Sequence, residues 1–173
     1  MASQMARTSA AGEEDPIRPA AGKDAGAALS RAGFLLGLAV ALVGAWHLAA
    51  WVAGGEKAWS GFSVITTKAN AALCLFLLGT ALALGTRGDT RRARLRHLLA
   101  AACALCAAVV GGLTVYEYLA GVDLGIDQLI VPQPEGALGG VAPNRMGLPV
   151  ALGALFGGPA VLAFVRRPAL AVA

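Results

Sequence analysis

The run LLAAACALCAAVVGGLTVY, residues 98–116, contains no Asp, Glu, Lys or Arg. A helix that crosses the hydrocarbon core of a bilayer needs about 20 predominantly apolar residues, within a working range of about 17 to 25. Because this run of 19 residues falls inside that range, it predicts a membrane-spanning helix.

Three further runs have the same property, namely residues 32–53, 69–85 and 146–165, which are 22, 17 and 20 residues long. Of the 173 residues, 57% are hydrophobic and only 14% are charged, whereas about a quarter of a typical soluble domain is charged. The alternative is a soluble bundle of unusually apolar helices, but core helices of soluble proteins keep a polar face. We therefore expect an all-α integral membrane protein with four transmembrane helices.

The basic residues predict how these helices are oriented, since cytoplasmic loops of membrane proteins carry an excess of Lys and Arg. Both terminal segments and the loop between the second and third spans would lie on one side, with eleven of the 14 basic residues. Five of them crowd that loop: Arg87, Arg91, Arg92, Arg94 and Arg96. The opposite side receives only Lys57, Lys68 and Arg145. We expect both termini to be cytoplasmic and the protein to lie in the inner (plasma) membrane.

This topology sets the expected organisation of the chain. Residues 1–28 are polar, small and without apolar periodicity, so we expect a disordered cytoplasmic tail. Residues 29–167 would form the transmembrane domain, and residues 168–173 a second cytoplasmic tail. The net charge of +4 reflects topology, because no basic stretch is interleaved with aromatic residues as a nucleic-acid surface requires. The expected surroundings are the lipid bilayer, and no nucleic-acid partner is expected.

A weak internal repeat suggests that the four spans form two repeated helical hairpins. TKANAALCLFLLG (67–79) aligns with APNRMGLPVALG (142–153), which places Asn70 and Asn144 at equivalent positions 74 residues apart. Helices rich in Ala, Gly and Leu also resemble each other by chance, so duplication and coincidence both remain open. We expect Asn70 and Asn144 to cap the start of their own helices, where Asn accepts a hydrogen bond from an unpaired backbone N–H. Ligand binding is the alternative role.

Small residues and prolines predict how the spans pack. Short connections favour antiparallel neighbours, and spaced glycines allow close approach of membrane helices. Pro149 and Pro159 predict a kink or break in the fourth span. The glycines expected at helix contacts are Gly33, Gly37, Gly44, Gly111, Gly112, Gly153 and Gly157.

The segment YEYLAGVDLGIDQLI, residues 116–130, brings Glu117, Asp123 and Asp127 together after the third span. Asp123 and Asp127 are four residues apart, so on a helix they would share a face. Two or three carboxylates would suit Ca²⁺ or another hard cation, and an acid/base pair is a further alternative. We favour a short amphipathic helix at the membrane surface, or an extension of the third span, with its acids facing water, and hence neither a catalytic nor a metal site. Asp123 and Asp127 remain weak candidates for ligand binding.

His47 is the other weak candidate for ligand binding, since ionisable groups within spans are often functional. Three tryptophans are near it in sequence, and an interfacial, hydrogen-bonded His is the favoured alternative. Cys103 and Cys106 form a CxxC pair inside the third span, where a thiol behaves as a small hydrophobic group. We therefore expect no cofactor and no enzymatic activity.

Two motifs resemble the multi-spanning sensory regions that precede PAS, histidine-kinase and diguanylate-cyclase domains in bacterial signalling proteins. They are LTVYEYLAGVDLGIDQLI, residues 113–130, and VAPN, residues 141–144. The resemblance covers about residues 33–165, and DLGIDQL is its specific part. It implies a membrane-embedded sensory input module that acts through a separate cytoplasmic signalling protein or a homo-oligomer.

The chain departs from this family pattern at several points. Arg145 and Met146 follow VAPN, where the pattern has Thr-Ala, and Pro149 and Pro159 interrupt the last span. No segment resembles the family's output domains, so we expect an input module without its catalytic output. A small transporter or channel component and a purely structural membrane protein are the alternatives.

Overall fold

The computed structural model describes residues 18–54, 67–86, 92–132 and 144–165, with side chains from residue 25 onward. These ranges contain four α-helices: α1 (Arg18–Gly54), α2 (Ala69–Gly85), α3 (Ala93–Ala120) and α4 (Leu148–Val165). One turn of 3-10 helix, Ile126–Gln128, lies between α3 and α4. Because no strand occurs in the described ranges, the all-α prediction is confirmed for them.

Three helices are long and apolar enough to cross a membrane, over Ala25–Ala53, Ala93–Ala120 and Leu148–Val165. The remaining helix, α2, is equally apolar but has 17 residues, which makes it about 26 Å long at 1.5 Å per residue. These lengths and compositions are those of a membrane protein. α1 begins at Arg18, so it includes residues 18–28, which the sequence predicted to be disordered.

Consecutive helices pack as antiparallel pairs, α1 on α2 and α3 on α4, and α2 also packs on α3 and α4. Glycines allow the close contacts within each pair. A Cβ atom at Gly37 would lie 2.8 Å from the carbonyl oxygen of Gly79, and one at Gly111 would lie 2.6 Å from that of Ala151. Such spacing leaves no room for a side chain, so these backbones touch directly. We call the two pairs the hairpins; their predicted duplication stays a prediction.

In α4, the glycine that closely contacts α3 is not one of the two that the sequence predicted. A Cβ at Gly153 would have no heavy atom within 4 Å, and one at Gly157 would make only an ordinary contact, 3.5 Å from Leu78. Gly158 instead lies against the backbone of α3 at Ala104. α4 also continues through Pro159 without the predicted break.

The acid-rich segment after the third span begins as the predicted helix extension, but it does not form a separate amphipathic helix. α3 continues past Tyr116 to Ala120 and ends at Gly121, whose φ of 66° is left-handed. Gly125 has a second left-handed conformation (φ 71°), after which the short 3-10 turn begins. Glycine adopts positive φ without a steric penalty, so these two residues end the helix and fold the chain back toward α2.

Candidate functional site: a buried arginine among three carboxylates

Arg145 lies at the end of the bundle where α2 begins and α3 ends, and its guanidinium contacts three carboxylates. Its Nε donates to Asp127 Oδ2 at 2.7 Å. Its Nη2 lies 3.4 Å from Glu117 Oε1 and 3.6 Å from Asp123 Oδ1. We call Arg145, Glu117, Asp123, Asp127 and the amide of Asn70 the Arg145 network.

Burial divides the three acids into two classes. Glu117 is completely buried and the Asp127 side chain is 3% exposed, whereas the Asp123 side chain is 67% exposed. The prediction that both aspartates face water is therefore correct for Asp123 and wrong for Asp127. The physical reason is the αL turn at Gly125, which removes the two residues from a common helical face and directs Asp127 inward.

The three acids of the network stabilise the positive charge of Arg145. Burial by itself would lower the pKa of the Arg145 guanidinium. The hydrogen bond with Asp127 and the charges of Glu117, Asp127 and Asp123 outweigh burial and raise this pKa above its usual value. Arg145 is thus a fixed positive charge, and loss of one buried partner would leave a charge uncompensated in a low-dielectric site.

Asn70 joins the network to α2. The chain is extended at Lys68 immediately before α2, and Lys68 has no side-chain capping bond. Asn70 lies in the first turn, where its Nδ2 donates to Asp127 Oδ1 and to the carbonyl oxygen of Ile126, both at 3.2 Å. Asn70 therefore does not cap α2 as predicted, because its position is already inside the helix and its side chain points to the 3-10 turn.

Asn144 performs the predicted capping function on a different helix. α4 begins at Leu148, too far along the chain for Asn144 to be its cap. Asn144 Oδ1 instead accepts from the backbone N–H of Ala69, the first residue of α2, at 3.3 Å. Its Nδ2 donates to the carbonyl oxygen of Val131 at 3.1 Å, and its φ of 58° is left-handed. The chain before α4 thus caps α2.

The remaining contacts tie α3 to the segment before α4. Tyr118 Oη donates to the carbonyl oxygen of Met146 at 3.1 Å, and the Arg145 guanidinium lies 5.7 Å from the centre of the Tyr118 ring. Glu117 Oε1 accepts from the backbone N–H of Leu124 at 2.8 Å. This bond holds the loop after α3 against the last turn of the helix.

The three carboxylates alone would have the composition of a hard-cation site. One oxygen from each of Glu117, Asp123 and Asp127 lies within 4.8 Å of the others. However, the Arg145 guanidinium contacts all three and supplies one positive charge, where a divalent ion would bring two. The geometry is therefore that of an ion-paired junction.

The other sequence-predicted residues lie away from this network. His47 Nδ1 donates to the carbonyl oxygen of Val43, one turn earlier in α1, at 2.9 Å. Trp51 is buried, and its Nε1 donates to the carbonyl oxygen of Thr67 at 2.7 Å. Arg92 and Arg94 are exposed at the start of α3, and Arg87 and Arg91 lie outside the described residues.

Comparison with known proteins gives no assignment: no protein-family model, curated protein or solved structure matches this chain.

Proposed function

We propose that the chain is a membrane-embedded input module of a signalling system, in which the Arg145 network links the two hairpins. The observation that carries the proposal is where the residues of the family-like motifs lie. Glu117, Asp123 and Asp127 come from LTVYEYLAGVDLGIDQLI, and Asn144 comes from VAPN. All four meet around the start of α2, although they belong to separate stretches of sequence.

The proposed topology has four spans in a bacterial inner membrane, with both termini cytoplasmic and the Arg145 network at the outer face. α2 would be the shortest span, which a bilayer accommodates by local thinning or by snorkelling of flanking residues. The distribution of basic residues supports this orientation, with the arginines of the α2–α3 loop on the cytoplasmic side.

The proposed mechanism is a change in the packing of one hairpin against the other. Glycine contacts make each hairpin a closely packed unit, whereas polar side chains join the two at the outer end. A stimulus acts on such a system only by binding one packing state better than the other. Loss of the Arg145–Asp127 pair would release the loop after α3 from α2.

A contact at the opposite end of the bundle offers a route to the cytoplasm. Ser30 Oγ donates to the carbonyl oxygen of Thr86 at 2.5 Å, where α2 ends. Movement of α2 would therefore be transmitted to α1, which continues from Ser30 back to Arg18. A separate cytoplasmic signalling protein, or a second copy of the chain, would sense this movement.

One specific observation favours the alternative that the protein is a transporter. Glu117 lies within α3 and is completely buried, and buried acids in membrane helices mark ion or proton pathways in many transporters. Against this, Arg145 already pairs with Glu117 at the helix end. A proton or sodium flux in proteoliposomes that Glu117→Gln abolishes would favour transport over signalling.

Distance measurements between spin labels test the signalling proposal. Labels at Leu29 in α1 and Leu95 in α3 occupy exposed positions at the inner ends of different hairpins. The background would carry alanine at all three cysteines, Cys74, Cys103 and Cys106.

We expect Arg145→Gln to shift or broaden the Leu29–Leu95 distance distribution in liposomes, because Arg145 holds Asp127 in place and Asp127 bonds Asn70 in α2. Asp123→Asn is the matched control: its partner is the same guanidinium, but its side chain is exposed, so the distribution should stay as in the native protein. An unchanged distribution in folded Arg145→Gln would refute the coupling.

A further inference from the structure

Two polar oxygens inside the bundle lie on one face of α3 beside the Arg145 network. The Thr114 and Glu117 side chains are both completely buried. Among the described residues, neither Thr114 Oγ1 nor Glu117 Oε2 has a hydrogen-bond partner. Buried polar atoms in native proteins are almost always paired, with protein or with ordered water.

Helical spacing brings the two side chains within reach of one molecule. Residues at positions i and i+3 have Cβ atoms about 5 to 6 Å apart on the same face of a helix. The two side-chain oxygens extend from these Cβ atoms over the same face, and a water bridges them when each lies about 2.8 Å from it. A hydroxyl and a carboxylate oxygen are also two of the two to four polar partners that a buried water needs.

We infer that a water molecule binds between Thr114 Oγ1 and Glu117 Oε2, at the membrane-interior side of the Arg145 network. The other oxygen of the same carboxylate, Oε1, accepts from Leu124 N and lies 3.4 Å from the Arg145 guanidinium. The water therefore solvates the one carboxylate oxygen that the protein leaves unpaired. This hydration offsets part of the cost of burying the Glu117 carboxylate beside Arg145.

The guanidinium favours water over a cation as the occupant. A sodium ion bound to Oε2 would share its carboxylate with the guanidinium on the other oxygen, and the repulsion between the two cations would offset part of the attraction of the three acids. A neutral molecule carries no such cost. The inference concerns hydration of the bundle and does not depend on the signalling proposal.

Substitutions at Thr114 test the site, since valine has nearly the same shape as threonine without the hydroxyl. We expect Thr114→Val to lower the melting temperature in detergent by about 3 °C or more, because the water loses a partner and Glu117 Oε2 is left unsolvated. Thr114→Ser keeps the hydroxyl and should retain most of the stability. Thr114→Val and Glu117→Gln should also be non-additive in the double variant, because both act on one water.

Infrared spectroscopy gives a second readout, the vibrations of the Glu117 carboxyl group, and needs only small amounts of folded protein. The carboxylate stretch of Glu117, assigned by its loss in Glu117→Gln, should shift in Thr114→Val and stay in place in Thr114→Ser. The absorption of a protonated carboxyl group instead would overturn the proposal, since a proton on Oε2 would then satisfy the pair directly.

Two further results would also overturn it. A melting temperature that is unchanged or higher in Thr114→Val would mean that the hydroxyl binds no water. A rise in melting temperature with NaCl but not with choline chloride, absent in Thr114→Val, would identify the occupant as a sodium ion.

Discussion

Arg145 and Asp127 are 18 residues apart in the chain and are joined by a hydrogen bond of 2.7 Å between two buried charged groups. Asp127 also accepts from Asn70 in the first turn of α2. One carboxylate thus connects the loop after α3, the segment before α4 and the start of α2. This relationship makes the acid-rich segment an internal junction of the bundle.

Close approach of α1 and α2 at Gly37 predicts a large effect of a single methyl group. A Cβ there would lie 2.6 Å from the backbone nitrogen of Ala83, so Gly37→Ala should separate the helices and destabilise the protein by about 2 kcal/mol or more. Gly153→Ala is the matched control, because its Cβ would enter open space and improve helix propensity by up to about 1 kcal/mol. Thermal unfolding of both variants in detergent measures the difference. Equal melting temperatures would show that α1 and α2 do not pack closely at Gly37.

The cap that Asn144 places on α2 predicts two separable losses. Asn144→Gly removes the side-chain bonds to Ala69 and Val131 and should cost about 1 to 2 kcal/mol. Asn144→Ala loses the same bonds and must also hold alanine at a positive φ, which adds about 1 kcal/mol. Unfolding free energies of the two variants test this order. An alanine variant as stable as the glycine variant would contradict the left-handed conformation.

Because Arg145 contacts the three carboxylates, we expect divalent cations to leave the stability of the protein unchanged. Addition of Ca²⁺ to the detergent-solubilised protein should leave its melting temperature unchanged, because the guanidinium already contacts all three acids. Mg²⁺ serves as the control for general ionic effects. A rise with Ca²⁺ that disappears in Asp127→Asn would instead identify a metal site.

The distribution of arginines predicts the topology. A reporter fused after Arg167 should be active only in its cytoplasmic form, and one inserted near Gly136 only in its external form. Joint replacement of Arg91, Arg92, Arg94 and Arg96 should weaken or invert this pattern, since that loop carries much of the orienting charge. Replacement of Lys57 and Lys68 is the matched control and should leave it intact. The opposite pattern of reporter activity in the native chain would refute the orientation.

Composition predicted the existence of the helices well, because a bilayer requires long uncharged segments, but α1 and α3 extend beyond the predicted spans, to Arg18 and to Ala120. Three predicted spans correspond to helices that can cross a membrane, and the fourth to α2. Local pattern also indicated that glycines lie between the helices, although it placed the α4 contact at Gly153 and Gly157 when it lies at Gly158.

The site was less predictable, because its partners come from distant parts of the chain. Asp123 and Asp127 looked equivalent in sequence, and only the left-handed turn at Gly125 gives them different environments. Arg145 was noted as a departure from a motif and as one of three basic residues on the predicted outer side, but not as a partner of the acids. That rarity was the available signal, since the same side holds five of the ten acids. Charge balance alone would have paired it with them.

A double-mutant cycle on Asp127 and Arg145 tests the central claim, that this buried pair holds the junction together. Free energies of unfolding would be measured by SDS titration in mixed micelles for Asp127→Asn, Arg145→Gln and the double variant. Asp123→Asn with Arg145→Gln forms the matched cycle on an exposed partner of the same arginine. We predict a coupling energy of about 2 kcal/mol or more for Asp127 and less than about 0.5 kcal/mol for Asp123. Additive effects of Asp127→Asn and Arg145→Gln, equal to those of the Asp123 cycle, would contradict the account.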